Sequence, residues 1–163
     1  MQVRRIRADE GALLRAMRIR ALTDTPTAFG STIEQTLAYS DEVWRERAVS
    51  NATSDTISGF FAERDGEVVG LAGGLFEAGE PMPSLISMWV APSARGQGGG
   101  EALIEAVVTW VRSLGATHLQ LWVTATNDPA IALYRRTDFV DTGETQPLPS
   151  NPSLLERRMV RAL

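Results

Sequence analysis

The stretch Val90-Ala91-Pro92-Ser93-Ala94-Arg95-Gly96-Gln97-Gly98-Gly99-Gly100-Glu101 places four of the chain's 14 glycines within five positions. Glycine lacks a Cβ and reaches positive φ freely, so such a run interrupts regular structure. Before it stands the mostly apolar run Leu85-Ile86-Ser87-Met88-Trp89-Val90. After it Leu103, Ile104, Val107, Val108, Val111 and Leu114 recur at helical spacing and stop at Gly115. The glycines are therefore the turn of a strand-turn-helix unit. The first turn of a helix leaves N–H groups without intrahelical partners and carries partial positive charge. Bare backbone there lets an anion approach, and Arg95 can add a charge-assisted contact. A second reading stays open, in which the glycines only permit a tight turn beside a neighbouring strand.

The remaining elements follow from periodicity and breakers. Residues 2–7 alternate as a short strand, and Leu13, Leu14, Met17, Ala21 and Leu22 mark a helix. Pro26 and Gly30 break it, and Ser31 and Asp41 are expected to cap two short helices, the second containing Trp44. Residues 56–64 and 67–77 read as strands joined at Asp65-Gly66, a hairpin signal. His118 to Val123 is a further strand. Asp128 is expected to cap a helix with Pro129 at its first position. Residues 139–142 and 154–160 supply the last strands, with a Pro/Ser/Asn loop at 145–153. No repeat or linker interrupts this order, so a single domain over residues 1–163 in the mixed α/β class is expected.

Composition removes several chemistries. With no Cys there is no disulfide, thiolate nucleophile or Cys-ligated metal. All 16 basic residues are arginine, which removes the P-loop lysine and Schiff-base chemistry. The single His118 has no second histidine for a metal cluster and no Gly-x-Ser-x-Gly elbow to serve, so it reads as structural. A net charge of −4 argues against nonspecific nucleic-acid binding and mildly favours a cationic partner. No stretch approaches the length of a membrane span, and the N-terminal residues have no apolar signal core. The expected partners therefore exclude nucleic acid and membrane, and the expected location is the cytoplasm. Glu101 breaks the dinucleotide pattern Gly-x-Gly-x-x-Gly where its third glycine belongs, and its carboxylate is expected to face solvent.

Val90-x-Pro92-x-x-Arg95-Gly96-x-Gly98-x-Gly100, followed by a periodic helix, resembles the acyl-CoA pyrophosphate-binding motif of the GNAT superfamily of N-acyltransferases. Further along, Asn127-Asp128-Pro129-Ala130-Ile131-Ala132-Leu133-Tyr134, with Phe139 after it, is similar to that family's second signature. Asp138 departs from the pattern, standing where the family usually has glycine; aspartate tolerates left-handed backbone better than most residues. The resemblance implies a single, mostly antiparallel sheet of about six to seven strands with about four helices. It also implies a splay between the fourth and fifth strands that admits a pantetheine arm. Carried over, it makes acetyl-CoA the co-substrate without a metal, and a primary amine, a small molecule first of all, the acceptor. Met88, Trp89 and Val90 would align the pantetheine. Arg95, Gly96, Gln97, Gly98, Gly99 and Gly100 would hold the pyrophosphate, and Asn127 would touch the pantetheine. Tyr134 would protonate the leaving thiolate as the catalytic residue, a phenol being protonated at neutral pH.

Bland readings remain beside these: Tyr134 as a packing residue and Asn127 as a turn residue. The fourth strand offers Ser87 and no carboxylate, while Glu77 and Glu80 precede it; a water relay is expected to serve as base, with Glu34 as a further candidate. By the resemblance the segment from Leu22 to Gly30 and Trp44 belong to the region that covers the acceptor, with Trp89 and Trp122 on the adjoining strands; these aromatics are as readily core. Two other functions compete with acetyl transfer. One is a catalytically weak acyl-CoA-binding sensor, motivated by the missing strand carboxylate and Asp138; the other is a nucleotide-binding protein, disfavoured by the absent lysine. A homodimer is a further expectation from the resemblance, to be tested by light scattering.

Overall fold

The computed structural model describes residues 1–163. In chain order the elements are β1 (Gln2–Arg5), α1 (Gly11–Asp24), α2 (Ile33–Ala38), α3 (Asp41–Thr53), β2 (Ile57–Arg64), β3 (Glu67–Leu75), β4 (Ser84–Val90), α4 (Gly99–Ser113), β5 (His118–Thr124), α5 (Asp128–Arg136), β6 (Val140–Leu148) and β7 (Asn151–Ala162). Single 3₁₀ turns at Pro26–Ala28 and Pro92–Ala94 follow α1 and β4. No helix is long and apolar enough to cross a membrane.

The strands form one seven-stranded sheet in the order β1-β2-β3-β4-β5-β7-β6. Every neighbouring pair is antiparallel except β4 and β5, which run parallel and meet at a single register pair, Ser84 with Gln120. A parallel neighbour needs a crossover, and α4 supplies it. The β2–β3 turn has positive φ at both Asp65 (54°) and Gly66 (83°), the backbone a two-residue hairpin requires. Asp138 also adopts the left-handed conformation, at φ 67°, so the turn into β6 closes without the glycine.

Local chemistry relocates three caps. Thr32, not Ser31, caps α2, in a reciprocal capping box with Gln35; Ser40, one residue before Asp41, caps α3. Asn127 caps α5, with its side chain accepting from the Ala130 N–H, so Asp128 and Pro129 are already helical. The segment expected to be a loop at 145–153 is mostly strand: β6 runs to Leu148 and β7 begins at Asn151. Pro147 is tolerated because β6 is an edge strand, and Pro152 and Ser153 because they lie on the end of β7 beyond Glu156, where its register pairs with β5 stop.

Each face of the sheet carries its own core. On one, α4 lays Leu103, Ile104, Val107, Val108, Trp110 and Val111 over Phe60, Ala62, Ala72 and Leu121. Gly74 is obligatory there, since a Cβ would come 2.6 Å from the Trp110 ring. On the other face α1 and α3 bring Leu14, Met17, Leu22 and Trp44 against Phe61, Val69, Leu71 and Trp89. Successive residues of β4 thus serve opposite faces, and the site lies where that strand parts from β5.

Candidate active site

β4 is bulged. Between the register pairs Leu71–Trp89 and Gly73–Ile86, β3 advances two residues while β4 advances three. The extra residue falls at Ser87-Met88, and Ser87 takes φ 56°, a conformation uncommon for residues other than glycine. A bulge bends its strand, and beyond Ser84 no residue of β4 pairs with β5. The edge of β4 facing β5 is thereby left open, and a cleft of about 610 Å³ occupies the gap.

Met88, Trp89 and Val90 form one wall of this cleft, Trp122 and Val123 of β5 another, and Asn127, Leu133 and Tyr134 a third. Its mouth is built from Arg95, Gly96, Gly98, Gly99 and Gly100. The backbone N–H groups from Gly96 through Glu101, six in a row, donate to no acceptor in the protein; the first of α4 to do so is Ala102, to the Gly98 carbonyl at 3.0 Å. Gly96 (φ 71°) and Gly98 (φ 82°) hold the left-handed backbone that turns the chain into the helix. Around both there is nothing within 4 Å of where a Cβ would stand, whereas at Gly99 and Gly100 a Cβ would come 3.1 Å from the Met1 side chain and 2.9 Å from that of Leu133. Unsatisfied donors at a helix N-terminus, most of them on glycines that carry no side chain of their own, fit a pyrophosphate.

Of the residues expected to hold the cofactor or to act in catalysis, the structure brings all but Gln97 to this cleft. The Gln97 side chain turns away, accepting from Arg64 Nη1 at 3.0 Å and donating to the Ser93 carbonyl at 3.3 Å; only its backbone N–H belongs to the row of free donors. Arg95 lines the mouth, but its guanidinium is committed, with Nε donating to the Val90 carbonyl at 2.9 Å and Nη2 to the Asp24 carboxylate. The same Asp24 oxygen accepts from Trp89 Nε1 at 2.9 Å. Asp24, at the end of α1, thus ties the glycine loop to the bulged strand. Sequence reading missed it because an acid before Thr25-Pro26 looks like a turn residue.

Tyr134 is buried and packs edge-on against Phe139 at 5.8 Å between ring centroids. Its hydroxyl has no hydrogen-bond partner in the protein, and burial raises its pKa well above the ordinary phenol value. The phenol is therefore a proton donor at neutral pH. Asn127 spends its carbonyl on the α5 cap, leaving its NH₂ without a partner. Glu101, expected in solvent, stands half-exposed at the rim and pairs with Arg136 Nη2 at 3.2 Å, which offsets its charge near the helix end.

Glu101 is the one carboxylate that lines the cleft. Glu34, Glu77 and Glu80 are exposed and line no part of the cleft. His118 is exposed at the far end of β5, against Thr117 Oγ1 at 2.9 Å. Trp44 is buried beneath α1 and α3 on the opposite face of the sheet, and the Trp89 ring packs toward that same face, where Arg20 stands 5.5 Å over it. Trp122 is the tryptophan that walls the cleft by way of β5.

Known proteins agree with this geometry. Residues 19–139 match the model of the acetyltransferase (GNAT) family. A mycothiol acetyltransferase of Acidothermus cellulolyticus is 32% identical over 155 residues, covering 85% of this chain and 44% of the relative. The chain thus spans less than half the length of that relative. A ribosomal-protein-alanine N-acetyltransferase of Brucella melitensis superposes with a TM-score of 0.78 at 25% identity, covering 100% of both chains. A putative acetyltransferase of Salmonella typhimurium, solved with its cofactor acetyl-CoA, shares the fold at a TM-score of 0.81 and 17% identity, over 100% of this chain and 94% of that one. The seven-stranded sheet opened between β4 and β5, the glycine cradle on α4 and these matches lead to one conclusion: the chain belongs to the acetyltransferase (GNAT) family.

Proposed function

We propose that this protein transfers an acetyl group from acetyl-CoA to the primary amine of a small molecule, by direct attack with both substrates bound. The observation that carries the reading is the row of six free N–H groups, Gly96 to Glu101, at the mouth of a cleft that leads to the bulge of β4. Acetyl-CoA, when bound, supplies an activated acetyl thioester and a pyrophosphate that such donors hold. Gly96, Gln97, Gly98, Gly99 and Gly100 offer the backbone for the pyrophosphate. The open edge of Met88, Trp89 and Val90, with the Asn127 NH₂, offers partners for a pantetheine arm. Arg95 acts at one remove, buttressing the Val90 carbonyl and Asp24 rather than presenting a free charge.

In this reading an N–C bond forms as the C–S bond breaks. Tyr134 gives its proton to the departing sulfur and is reprotonated from solvent. The amine's proton leaves through water, since no carboxylate lines the cleft apart from the Arg136-paired Glu101. The mycothiol acetyltransferase relative, named for a small-molecule acceptor, supports the same class of acceptor here. The test is CoA thiol release from acetyl-CoA across a panel of amines, which a chain without cysteine permits with no protein thiol background. Amine-dependent release is expected. Tight acetyl-CoA binding without release for any amine would instead favour the sensor reading.

A further inference from the structure

A second cavity, of about 330 Å³, lies on the other face of the sheet, between α1, α3 and strands β2 to β4. It ends at Ile86 and Ser87, and the cleft described above begins at Met88. The two cavities therefore flank the bulge from opposite sides, with consecutive Cα atoms about 3.8 Å apart.

The charged lining of this cavity is cationic, with Asn51 and Ser87 as its neutral polar residues. Arg18 from α1 and Arg47 from α3 both face it, no Asp or Glu lines it, and neither arginine belongs to any ion pair of the structure. Arg18 Nη2 donates to Ser31 Oγ at 2.9 Å, whereas its Nη1 is buried without a partner. Trp44, 2% exposed, likewise leaves its Nε1–H buried and unpartnered. Arg47 is stacked rather than hydrogen-bonded, 4.2 Å over the Tyr39 ring and 5.2 Å over Trp44. Burial and the like charge of Arg47 pull the Arg18 guanidinium down to about 10. A buried guanidinium nitrogen and a buried indole N–H, each without an acceptor, cost free energy unless something completes them. The floor, in contrast, is apolar: Ile57, Leu71 and Ile86.

We infer that this cavity receives the acceptor, and that the acceptor is an amino carboxylate: its carboxylate lies on Arg18, Arg47 and the Trp44 N–H, its apolar body on the floor, and its amine at the Ser87-Met88 bulge. The inference rests on acetyl transfer at that bulge. The chain's overall acidity acts at long range and does not describe this pocket, where the local charge is positive.

The test is direct binding, which does not depend on turnover. The intact protein is titrated with free apolar α-amino acids, their α-amides and the corresponding alkyl amines, with and without saturating CoA. At least tenfold tighter binding of an acid than of its amide is expected, with Arg47→Gln bringing the acid down to the amide. Arg18→Lys, which keeps a charge but loses the planar fork, should fall between. Equal affinity for acid and amide, binding of no acid at all, or a preference for the acid that survives both substitutions would each overturn the assignment. Acetyl-CoA titrated alongside separates the two readings. Acetyl-CoA binding without acid recognition leaves acetyl transfer standing and removes the anionic acceptor. Acid recognition without acetyl-CoA binding leaves a site for an amino carboxylate but removes acetyl transfer, and with it the acceptor assignment.

Discussion

Replacing Tyr134 by phenylalanine removes one oxygen from a place where it holds nothing in the protein. The ring is 7% exposed and keeps its edge-on contact with Phe139, so the packing that anchors α5 is retained. No hydrogen bond is broken and no buried partner is stranded, so the stability change should stay within about 1 kcal/mol; truncation to alanine would cost about 3–5 kcal/mol. Turnover is a different matter. A positioned general acid contributes roughly 10²–10⁴-fold, so kcat for CoA release should fall by that factor in Tyr134→Phe while the dissociation constant for acetyl-CoA moves little. The pH dependence supplies a second check. Burial raises the phenol's pKa, so the acid stays protonated across pH 6–9 and no loss of wild-type kcat in that range belongs to Tyr134. The assay is stopped-flow or continuous thiol detection with the best amine of the panel. Equal turnover of wild type and Tyr134→Phe at pH 7.5 would refute the assignment and leave Tyr134 as a packing residue.

Three further outcomes follow from the geometry. Gly98→Val forces a β-branched residue to φ 82° at a cost of roughly 1–2 kcal/mol, with no clash inside the protein, so it should fold yet bind acetyl-CoA more than tenfold more weakly; calorimetric titration reading unchanged affinity would remove the cradle. Asp24→Ala strands the indole N–H of buried Trp89 and frees Arg95, so urea unfolding should show a loss of about 1–3 kcal/mol, and an unchanged midpoint would mean that the tie carries no energy. Bonds from Arg4 hold the Glu10 carboxyl down at about 2 against an ordinary 4.5; the stabilisation is therefore present above pH 4.5 and is lost as pH falls toward 2. At about 1.4 kcal/mol per unit it amounts to at most roughly 3 kcal/mol, and wild type should lose that much more than Glu10→Gln between pH 5 and 2.

The sequence by itself determined the elements whose signals are local. Glycines at 96 and 98 could be read as positive-φ positions because no other residue adopts that backbone so cheaply, and the period of Leu103 to Leu114 fixed the buried face of α4. The Asp65-Gly66 turn, Gly115 at the end of α4 and the two motifs that place Tyr134 and Asn127 near the glycine loop were legible for the same reason. Even the departure at Asp138 was interpretable, since the side chain's tolerance of left-handed backbone is a property of the residue alone.

Tertiary structure decided the rest, because it depends on partners far apart in the chain. Proline, serine and asparagine between 145 and 153 read as loop, yet pairing with β7 makes most of the segment strand. Arg95 beside the glycines reads as a phosphate ligand until Asp24, 71 positions away, is found holding it. An isolated arginine in sequence is a solvated charge. Only the packing of α1 against α3 brings Arg18 and Arg47 together with Trp44 at one cavity that ends beside the bulge of β4, and leaves an Arg18 nitrogen and the Trp44 N–H buried without partners. Burial and counter-charge are properties of the assembled fold, so the nature of the cradle was written locally and the character of the acceptor pocket was not.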